Sequence, residues 1–155
     1  MARNADFDHR IQSASRYVSG GSAITLDKEI HGGKTIQLDT LTGTTVTLPA
    51  ATGSGVRFNF CTSVIATSNS HVVKVGNATD VMSGSLNVVD NADGTVTPFG
   101  TVAASDTITL NRTTTGSVKI GELFWLKDVK AGYWSVNGMV IATGSEATPF
   151  SAAVS

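Results

Sequence analysis

Three histidines are the residues in this chain best suited to bind a metal or to transfer protons, and they lie far apart in sequence. His9 falls in an N-terminal segment, His31 in a glycine turn and His71 at the start of a predicted strand. A zinc site needs three or four converging nitrogen or sulfur ligands. The single cysteine, Cys61, can form neither an intrachain disulfide nor a cysteine-based metal site, and we interpret it as a small buried residue. We therefore expect no metal and no cofactor.

Two glycine-containing loops have some of the residues of ion-binding loops but lack the full patterns. Residues 90–94 (DNADG) offer acidic and amide oxygens, yet they lack the alternating ligands and the closing glutamate of a calcium loop. Residues 53–55 (GSG) lack the lysine of a phosphate-binding loop and join two strands. No serine lies in the context of a nucleophile elbow. We predict that the chain is not an enzyme.

A cluster of aromatic residues near the C-terminus is the remaining candidate for a binding site. Trp125, Tyr133 and Trp134 have rings that could stack on a sugar. They lie in or beside the most apolar stretch of the chain, residues 116–129. Because large aromatic side chains contribute most when buried, we favour core packing over a sugar platform for all three.

The elements that must position these residues are predicted to be strands. Val46 and Leu48 alternate with threonines, and Phe58 and Phe60 flank an asparagine, which is the period-two pattern of a half-buried strand. Similar runs recur through residues 23–155, separated by turn signals every 8 to 12 residues or so. The pattern predicts an all-β body, an antiparallel β-sandwich of jelly-roll-like type, without a convincing amphipathic helix.

Several local signals refine this prediction. The dipeptides at 93–94 (DG) and 137–138 (NG) are predicted hairpin turns, because both accept the positive φ that such turns need. Pro98 indicates an edge strand or an interruption. The uninterrupted apolar run at 123–126 (LFWL) indicates a strand covered on both faces.

Residues 1–22 differ from the body and are predicted to form an extended arm. The spacing of its apolar residues fits one face of a helix. Ser19 to Ser22 (SGGS) form a predicted flexible joint. One interpretation is a frayed terminus. The other is an arm that orders on a partner, with these attachment residues: Arg3, Phe7, Arg10, Ile11, Arg16, Tyr17 and Val18.

Composition excludes several classes of partner. The net charge is −1 and only 15% of residues are charged, well below the roughly 25% of ordinary domains. The eleven lysines and arginines are scattered, which argues against nucleic-acid binding. The N-terminus has no apolar signal-peptide core and no apolar run approaches the ~18 residues of a membrane span. We expect no membrane partner and synthesis in a cytoplasm-like compartment.

Two stretches carry a resemblance to a known family. Residues 44–55 (TTVTLPAATGSG), followed by VRFNF, resemble the repeated core of tailed-bacteriophage capsid decoration (cement) and head-fibre proteins. Residues 116–150 add to it with GYWSV at 132–136 and GSEATPF at 144–150. The resemblance implies a non-enzymatic virion protein that sits on a capsid, commonly as a homotrimer.

The function expected from this resemblance is capsid decoration. The protein would bind the outer surface of a phage head and stabilise the shell, with the major capsid protein and its own copies as partners. It would be made in the host bacterial cytoplasm and would end on the capsid surface of the virion. The alternatives are a phage fibre, spike or knob module that binds host surface glycans, and a cellular β-sandwich, including an enzyme.

Overall fold

A computed structural model describes residues 16–154, whose regular structure is almost entirely β. Two facing sheets enclose one apolar core, so the predicted all-β, sandwich-like fold is confirmed. The one helix, α1, spans Lys28–His31 and follows β2. The strands are β1 (Tyr17–Ser19), β2 (Ala23–Thr25), β3 (Thr35–Leu38), β4 (Thr45–Thr47), β5 (Arg57–Thr62), β6 (His71–Lys74), β7 (Val81–Asp90), β8 (Val96–Gly100), β9 (Thr107–Leu110), β10 (Leu123–Lys130), β11 (Tyr133–Ala142) and β12 (Phe150–Ser151).

The two sheets differ in size. The large sheet has seven strands in the order β1-β3-β5-β10-β11-β7-β8, and the small sheet has five in the order β12-β9-β6-β4-β2. The first six strands alternate between the sheets, so β1, β3 and β5 pair in parallel in one sheet while β2, β4 and β6 pair in parallel in the other. The N-terminal half is therefore a short two-sided solenoid, in which each coil stacks on the one before it.

Both sheets are mixed, which corrects the antiparallel prediction, and a jelly-roll-like topology is not confirmed. The hairpins β7–β8 and β10–β11 are antiparallel, but β7 and β11 run parallel over ten residues. Alternation in sequence reports which face of a strand is buried and not the direction of its neighbour. The periodicity therefore predicted strands without predicting how they pair.

The core is built from inward-facing rows that cross each sheet. In the small sheet, Ile24, Val46, Val73 and Ile108 lie side by side, and Phe150 completes the row. In the large sheet, Phe60 stacks on Phe124 with ring centres 4.9 Å apart, and Phe58 lies 5.7 Å from Trp134. Each fully buried side chain of this size stabilises the fold by about 1.5–3 kcal/mol.

The two predicted hairpin turns have different outcomes. Asp93-Gly94 does lie in the β7–β8 turn, and Pro98 lies on β8 at the edge of the large sheet, as predicted. The prediction for Asn137-Gly138 is wrong, because β11 continues straight through it. A Cβ atom on Gly138 would lie 2.4 Å from the Cα of Phe124, so this glycine allows β10 and β11 to approach closely.

The apolar run in β10 is not covered on both faces. Phe124 and Leu126 are buried, whereas Leu123 is 56% exposed and Trp125 is half-buried. The run therefore alternates like the other strands, and its outward side chains belong to an exposed apolar surface.

The folded body begins before the predicted boundary at residue 23. Residues 17–19 form β1 and pair with β3, so this part of the predicted arm belongs to the sheet. The predicted joint is fixed in place: Gly20 N–H donates to Gln37 O at 3.0 Å and Gly21 N–H donates to Asp39 Oδ1 at 2.8 Å. The rest of the predicted arm, residues 1–15, lies outside the described residues.

Candidate functional site

Four acidic side chains are buried among the described residues, and each binds backbone N–H groups of a loop or chain end. Asp80 accepts from Ala51, and Asp106 accepts from Ala153 and Val154 near the C-terminus. Glu122 and Asp128 each accept hydrogen bonds from the backbone N–H groups of three residues. These carboxylates are therefore engaged in holding the chain together.

Asp128 is the centre of the largest of these clusters. Its carboxylate is fully buried and accepts backbone hydrogen bonds from Thr52, Gly53 and Ser54, with the Gly53 bond at 2.7 Å. The Ser54 hydroxyl donates at 2.7 Å and Lys28 Nζ lies 2.6 Å away. The GSG loop, predicted not to be a phosphate-binding loop, thus binds a carboxylate supplied by the same chain.

The protonation state of Asp128 follows from these partners. Burial alone would raise the pKa of this carboxyl. The hydrogen bonds from Lys28, Ser54 and the backbone of the loop outweigh burial and hold the pKa well below its usual value. Asp128 is therefore ionised throughout the physiological range and serves as a structural charge.

Glu122 holds the loop before β10 in the same manner. Its carboxylate accepts from the backbone N–H groups of Ser117, Val118 and Lys119, each at 2.7 Å. Burial is the largest influence and raises the pKa of Glu122 above its usual value, although these hydrogen bonds oppose it.

The two histidines of the described residues, His31 and His71, lie in separate hydrogen-bonded environments. His71 is fully buried: its Nδ1 accepts from Thr44 N–H at 2.9 Å, and its Nε2 lies 2.8 Å from Val64 O, so the proton resides on Nε2. Burial lowers the pKa of His71. His31 Nδ1 accepts from Asp27 N–H at the start of α1, and His9 lies outside the described residues. Within residues 16–154, no group of three His, Cys, Asp or Glu side chains is placed to hold a metal ion.

The most prominent candidate for an interaction surface is the outer face, defined as the side of the large sheet that points away from the small sheet. Its central rows cross β5, β10 and β11. None of the outward-alternating positions on the seven strands carries an acidic residue. The three central rows are Cys61–Leu123–Met139, Asn59–Trp125–Asn137 and Arg57–Lys127–Ser135.

One part of the outer face is apolar. Leu123 and Met139 lie directly opposite each other and are 56% and 52% exposed. They line a depression of about 410 Å³ together with Asn87, Ile141 and, at its border beyond the strand positions, Glu122. Half-exposed aliphatic side chains of this size, placed side by side, are typical of a surface that another molecule covers.

The other part, which we call the basic end, carries Arg57, Lys127 and Lys130. Arg57 Nε donates to Asn59 Oδ1 at 2.8 Å, and its guanidinium lies 4.8 Å from the ring centre of Trp125. Lys130 Nζ lies 5.7 Å from the ring centre of Tyr133. Shallow depressions of about 240 Å³ and 360 Å³ lie beside these two cation–aromatic pairs.

The aromatic cluster is therefore divided between core and surface. Trp134 is fully buried, as predicted, but Trp125 is half-buried and Tyr133 is 45% exposed on the outer face, so core packing was wrong for these two. One sequence signal could have identified Trp125: it is in phase with the charged Lys127, two residues further along the same strand.

The predicted attachment residues fall into two groups. Arg16 and Tyr17 are exposed, Tyr17 by 60%, whereas Val18 is partly buried and packs against the core. Tyr17 and Val18 lie in strand β1, and not in the helix that the spacing suggested. The remaining attachment residues lie outside the described residues: Arg3, Phe7, Arg10 and Ile11.

No helix formed by residues 16–154 is long and apolar enough to cross a membrane. Comparison of the chain with models of known protein families, with curated proteins and with solved structures gives no match in any of the three.

Proposed function

We propose that this chain is a structural virion protein: a capsid decoration (cement) protein that binds the outer surface of a phage head as a homotrimer and stabilises the shell. The observation that carries this proposal is the outer face: exposed Leu123 and Met139 offer an apolar contact for the shell, and Arg57, Trp125 and Tyr133 offer a contact for a second copy. Aromatic residues, methionine and arginine are enriched in protein–protein interfaces, where a few of them supply most of the binding energy.

The interior supports a structural role. Asp80, Asp106, Glu122 and Asp128 all bind backbone N–H groups, so these buried acids are committed to holding loops. A decoration protein needs a rigid body that presents the same surface at many identical shell sites. The resemblance of residues 44–60 and 116–150 to phage decoration and head-fibre proteins supports the same function.

The proposal is tested by co-sedimentation with purified phage shells that lack the protein. We expect the protein to pellet with shells in saturable, stoichiometric amounts and to raise the temperature at which the shells break open. Replacing Leu123 and Met139 by glutamine should reduce binding. The matched control introduces the same residue, glutamine, at Thr45 and Thr109, which lie on the outward side of the small sheet. This control should bind shells as the wild type does. Wild-type protein that stays in the supernatant at all concentrations would contradict decoration.

A second candidate function is a fibre, spike or knob module that binds host glycans. The observation that favours it is the exposed ring of Tyr133, which borders a depression also lined by Ser83, Lys130 and Ser135. Hydroxyls and a cation beside an aromatic ring can bind a sugar. A glycan array tests this function: specific binding that Tyr133→Ala abolishes would favour it over decoration.

A further inference from the structure

The basic end of the outer face holds like charges that nothing in the described structure neutralises. Arg57 and Lys127 are directly opposite each other on β5 and β10. Among residues 16–154 no carboxylate forms an ion pair with either of them, since the ion pair present is that of Lys28 with Asp128. Like charges at directly opposite positions destabilise a sheet. The pair is therefore better explained by a bound anionic group than by the stability of one copy.

The guanidinium of Arg57 is held in position for such a group. Its Nε donates to Asn59 Oδ1, and its central carbon lies over the ring of Trp125, 4.8 Å from the ring centre. These contacts leave the two terminal nitrogens to bind elsewhere. Arginine binds carboxylates through two parallel hydrogen bonds, and a guanidinium that is already held in position loses less side-chain entropy when it does so.

A matching acidic group lies at the far end of the same sheet. The β7–β8 hairpin carries Asp90 and Asp93, whose Oδ1 atoms accept from Ala92 N–H and Thr95 N–H within the turn. Residues 91–96 are all exposed, and Val96 is 53% exposed. The tip thus presents the carboxylate of Asp93 to solvent, with the half-buried Asp90 at its base, which complements the two cations of the basic end.

One copy cannot bring these two groups together. Lys127 on β10 pairs with Ser135 on β11, and Ser135 pairs with Ser83 on β7, so these three residues lie at the same level of the sheet. Asp90 lies seven residues further along β7 than Ser83. At roughly 3.3 Å per residue the separation along the sheet is about 23 Å. The hairpin and the basic end can therefore meet only between copies.

We propose that the β7–β8 hairpin of one copy docks on the basic end of the next copy, with Asp90 and Asp93 facing Arg57 and Lys127. The contact joins two different surfaces of the same chain, and such a contact closes a ring, instead of an open filament, when the rotation between successive copies returns to the first copy. It rests on the homotrimer of the proposed function and identifies the contact between its protomers.

The test reverses the charges on each side and then on both. Sedimentation equilibrium is measured for the full chain with Arg57→Glu and Lys127→Glu, and for the full chain with Asp90→Lys and Asp93→Lys. We expect each pair to weaken self-association at least about tenfold, because like charges then face each other. The variant with all four substitutions should recover the wild-type trimer, because every contact in the ring is reversed together. A control with Lys74→Glu, on the outward side of the small sheet, changes the charge in the same direction as the first pair, away from both surfaces, and should associate normally.

Far-UV circular dichroism checks that each variant keeps its strands. If a reversed pair fails to fold, Asp90→Asn with Asp93→Asn removes the charges while keeping side-chain oxygens for the turn, and should also weaken association. Reversed pairs that associate like the wild type, a four-fold variant that stays dissociated, or a monomeric wild type would each overturn the proposal. Shell co-sedimentation separates the two ideas: a wild type that is monomeric yet decorates shells refutes the ring alone, and a wild-type trimer that does not bind shells refutes decoration alone.

Discussion

At the scale of single residues, Asp128 shows how one buried charge can organise distant segments. It joins β10 to residues 52–54 and, through Lys28, to α1. A buried carboxylate that accepts this many hydrogen bonds is stable only while all of its donors remain. The loop and the helix are therefore held in one arrangement, at the end of the sheet that carries the basic end.

Replacing Asp128 by asparagine should destabilise the protein strongly. The substitution removes the charge that faces Lys28 Nζ and directs an amide NH₂ toward backbone N–H donors. Breaking a buried ion pair from one side costs about 3–5 kcal/mol. Urea unfolding of Asp128→Asn measures the loss. Glu29→Gln, at an exposed position on α1, is the control and should change stability by less than about 0.5 kcal/mol. A loss below about 1 kcal/mol for Asp128→Asn would show that the cluster is not essential.

His71 should make stability depend on pH. Burial lowers its pKa in the folded state, so the unfolded chain takes up a proton first as the pH falls. Stability should therefore decrease as the pH falls below about 6.5, the ordinary histidine value. Protonation would also place a second N–H against Thr44 N–H, which now donates to Nδ1.

Thermal unfolding of the wild type and of His71→Gln between about pH 7.5 and about pH 5.5 measures this contribution. The decrease should be smaller in the variant, whereas His31→Gln should retain it. Glu122 acts in the opposite sense, because its raised pKa makes stability fall as the pH rises above its unfolded value of 4.5. Since Glu122 is present in all three proteins, equal slopes in the wild type and His71→Gln would contradict the role assigned to His71.

At the scale of elements, two similar dipeptides have opposite roles. Asp93-Gly94 connects β7 and β8 at an exposed tip, whereas Asn137-Gly138 lies within a long strand between two neighbours. Local turn propensity is the same for both. What differs is tertiary packing: Gly138 lies where a side chain would collide with Phe124, and no single-sequence pattern contains that information.

Gly138→Ala should therefore cost more than an ordinary glycine substitution. The new methyl group would lie 2.4 Å from the Cα of Phe124, and such overpacking typically costs about 1–3 kcal/mol. Gly144→Ala is the matched control, because Gly144 also has a positive φ, +76°, but has nothing within 4 Å of the new Cβ. Chemical denaturation should give a lower free energy of unfolding for Gly138→Ala than for Gly144→Ala. Equal losses would mean that backbone conformation alone, and not contact with β10, requires glycine at 138.

The candidate site was only partly predictable. Alternation identified the inward side chains of most strands, whereas the attachment role named from sequence for Tyr17 stays a prediction. The outer face was missed because a run of four apolar residues conceals its own alternation, so Leu123 and Trp125 were assigned to the interior. The absence of acidic residues from its strand positions depends on which strands become neighbours. Arg57 and Lys127, for example, pair although they are 70 residues apart in sequence.

At the scale of the whole molecule, the fold class followed from composition and turn spacing, but the topology did not. In the solenoid of β1 to β6, each strand lies beside the strand two positions later in the sequence. Ile36 on β3 therefore pairs with Phe60 on β5, which in turn pairs with Phe124 on β10. Hydrophobic burial specifies that these residues face inward. Both parallel and antiparallel pairing satisfy that requirement, and the choice depends on the connections between the sheets.

The topology also changes how the arm must be tested. Residues 17–19 belong to the large sheet and Val18 packs against the core, so a deletion through residue 20 would remove a strand as well as the arm. The informative deletion ends at residue 15 and retains β1. A truncation of residues 1–20 serves as the comparison and should lower stability, because it exposes the edge of β3 and the apolar side chains beneath it.

We expect the protein lacking residues 1–15 to fold and self-associate normally but to bind shells more weakly. Phe7 and Ile11 are large apolar side chains, each worth about 1.5–3 kcal/mol when fully buried against a partner, whereas Arg3 and Arg10 would add only about 0–1 kcal/mol each as exposed ion pairs. Replacing Phe7 and Ile11 by serine should therefore weaken shell binding more than replacing both arginines by glutamine. Co-sedimentation at several salt concentrations measures both effects, since only the arginine contribution is screened. If the truncated protein decorates shells as tightly as the full chain, the arm is not an attachment segment, and the outer face alone provides the contact with the shell.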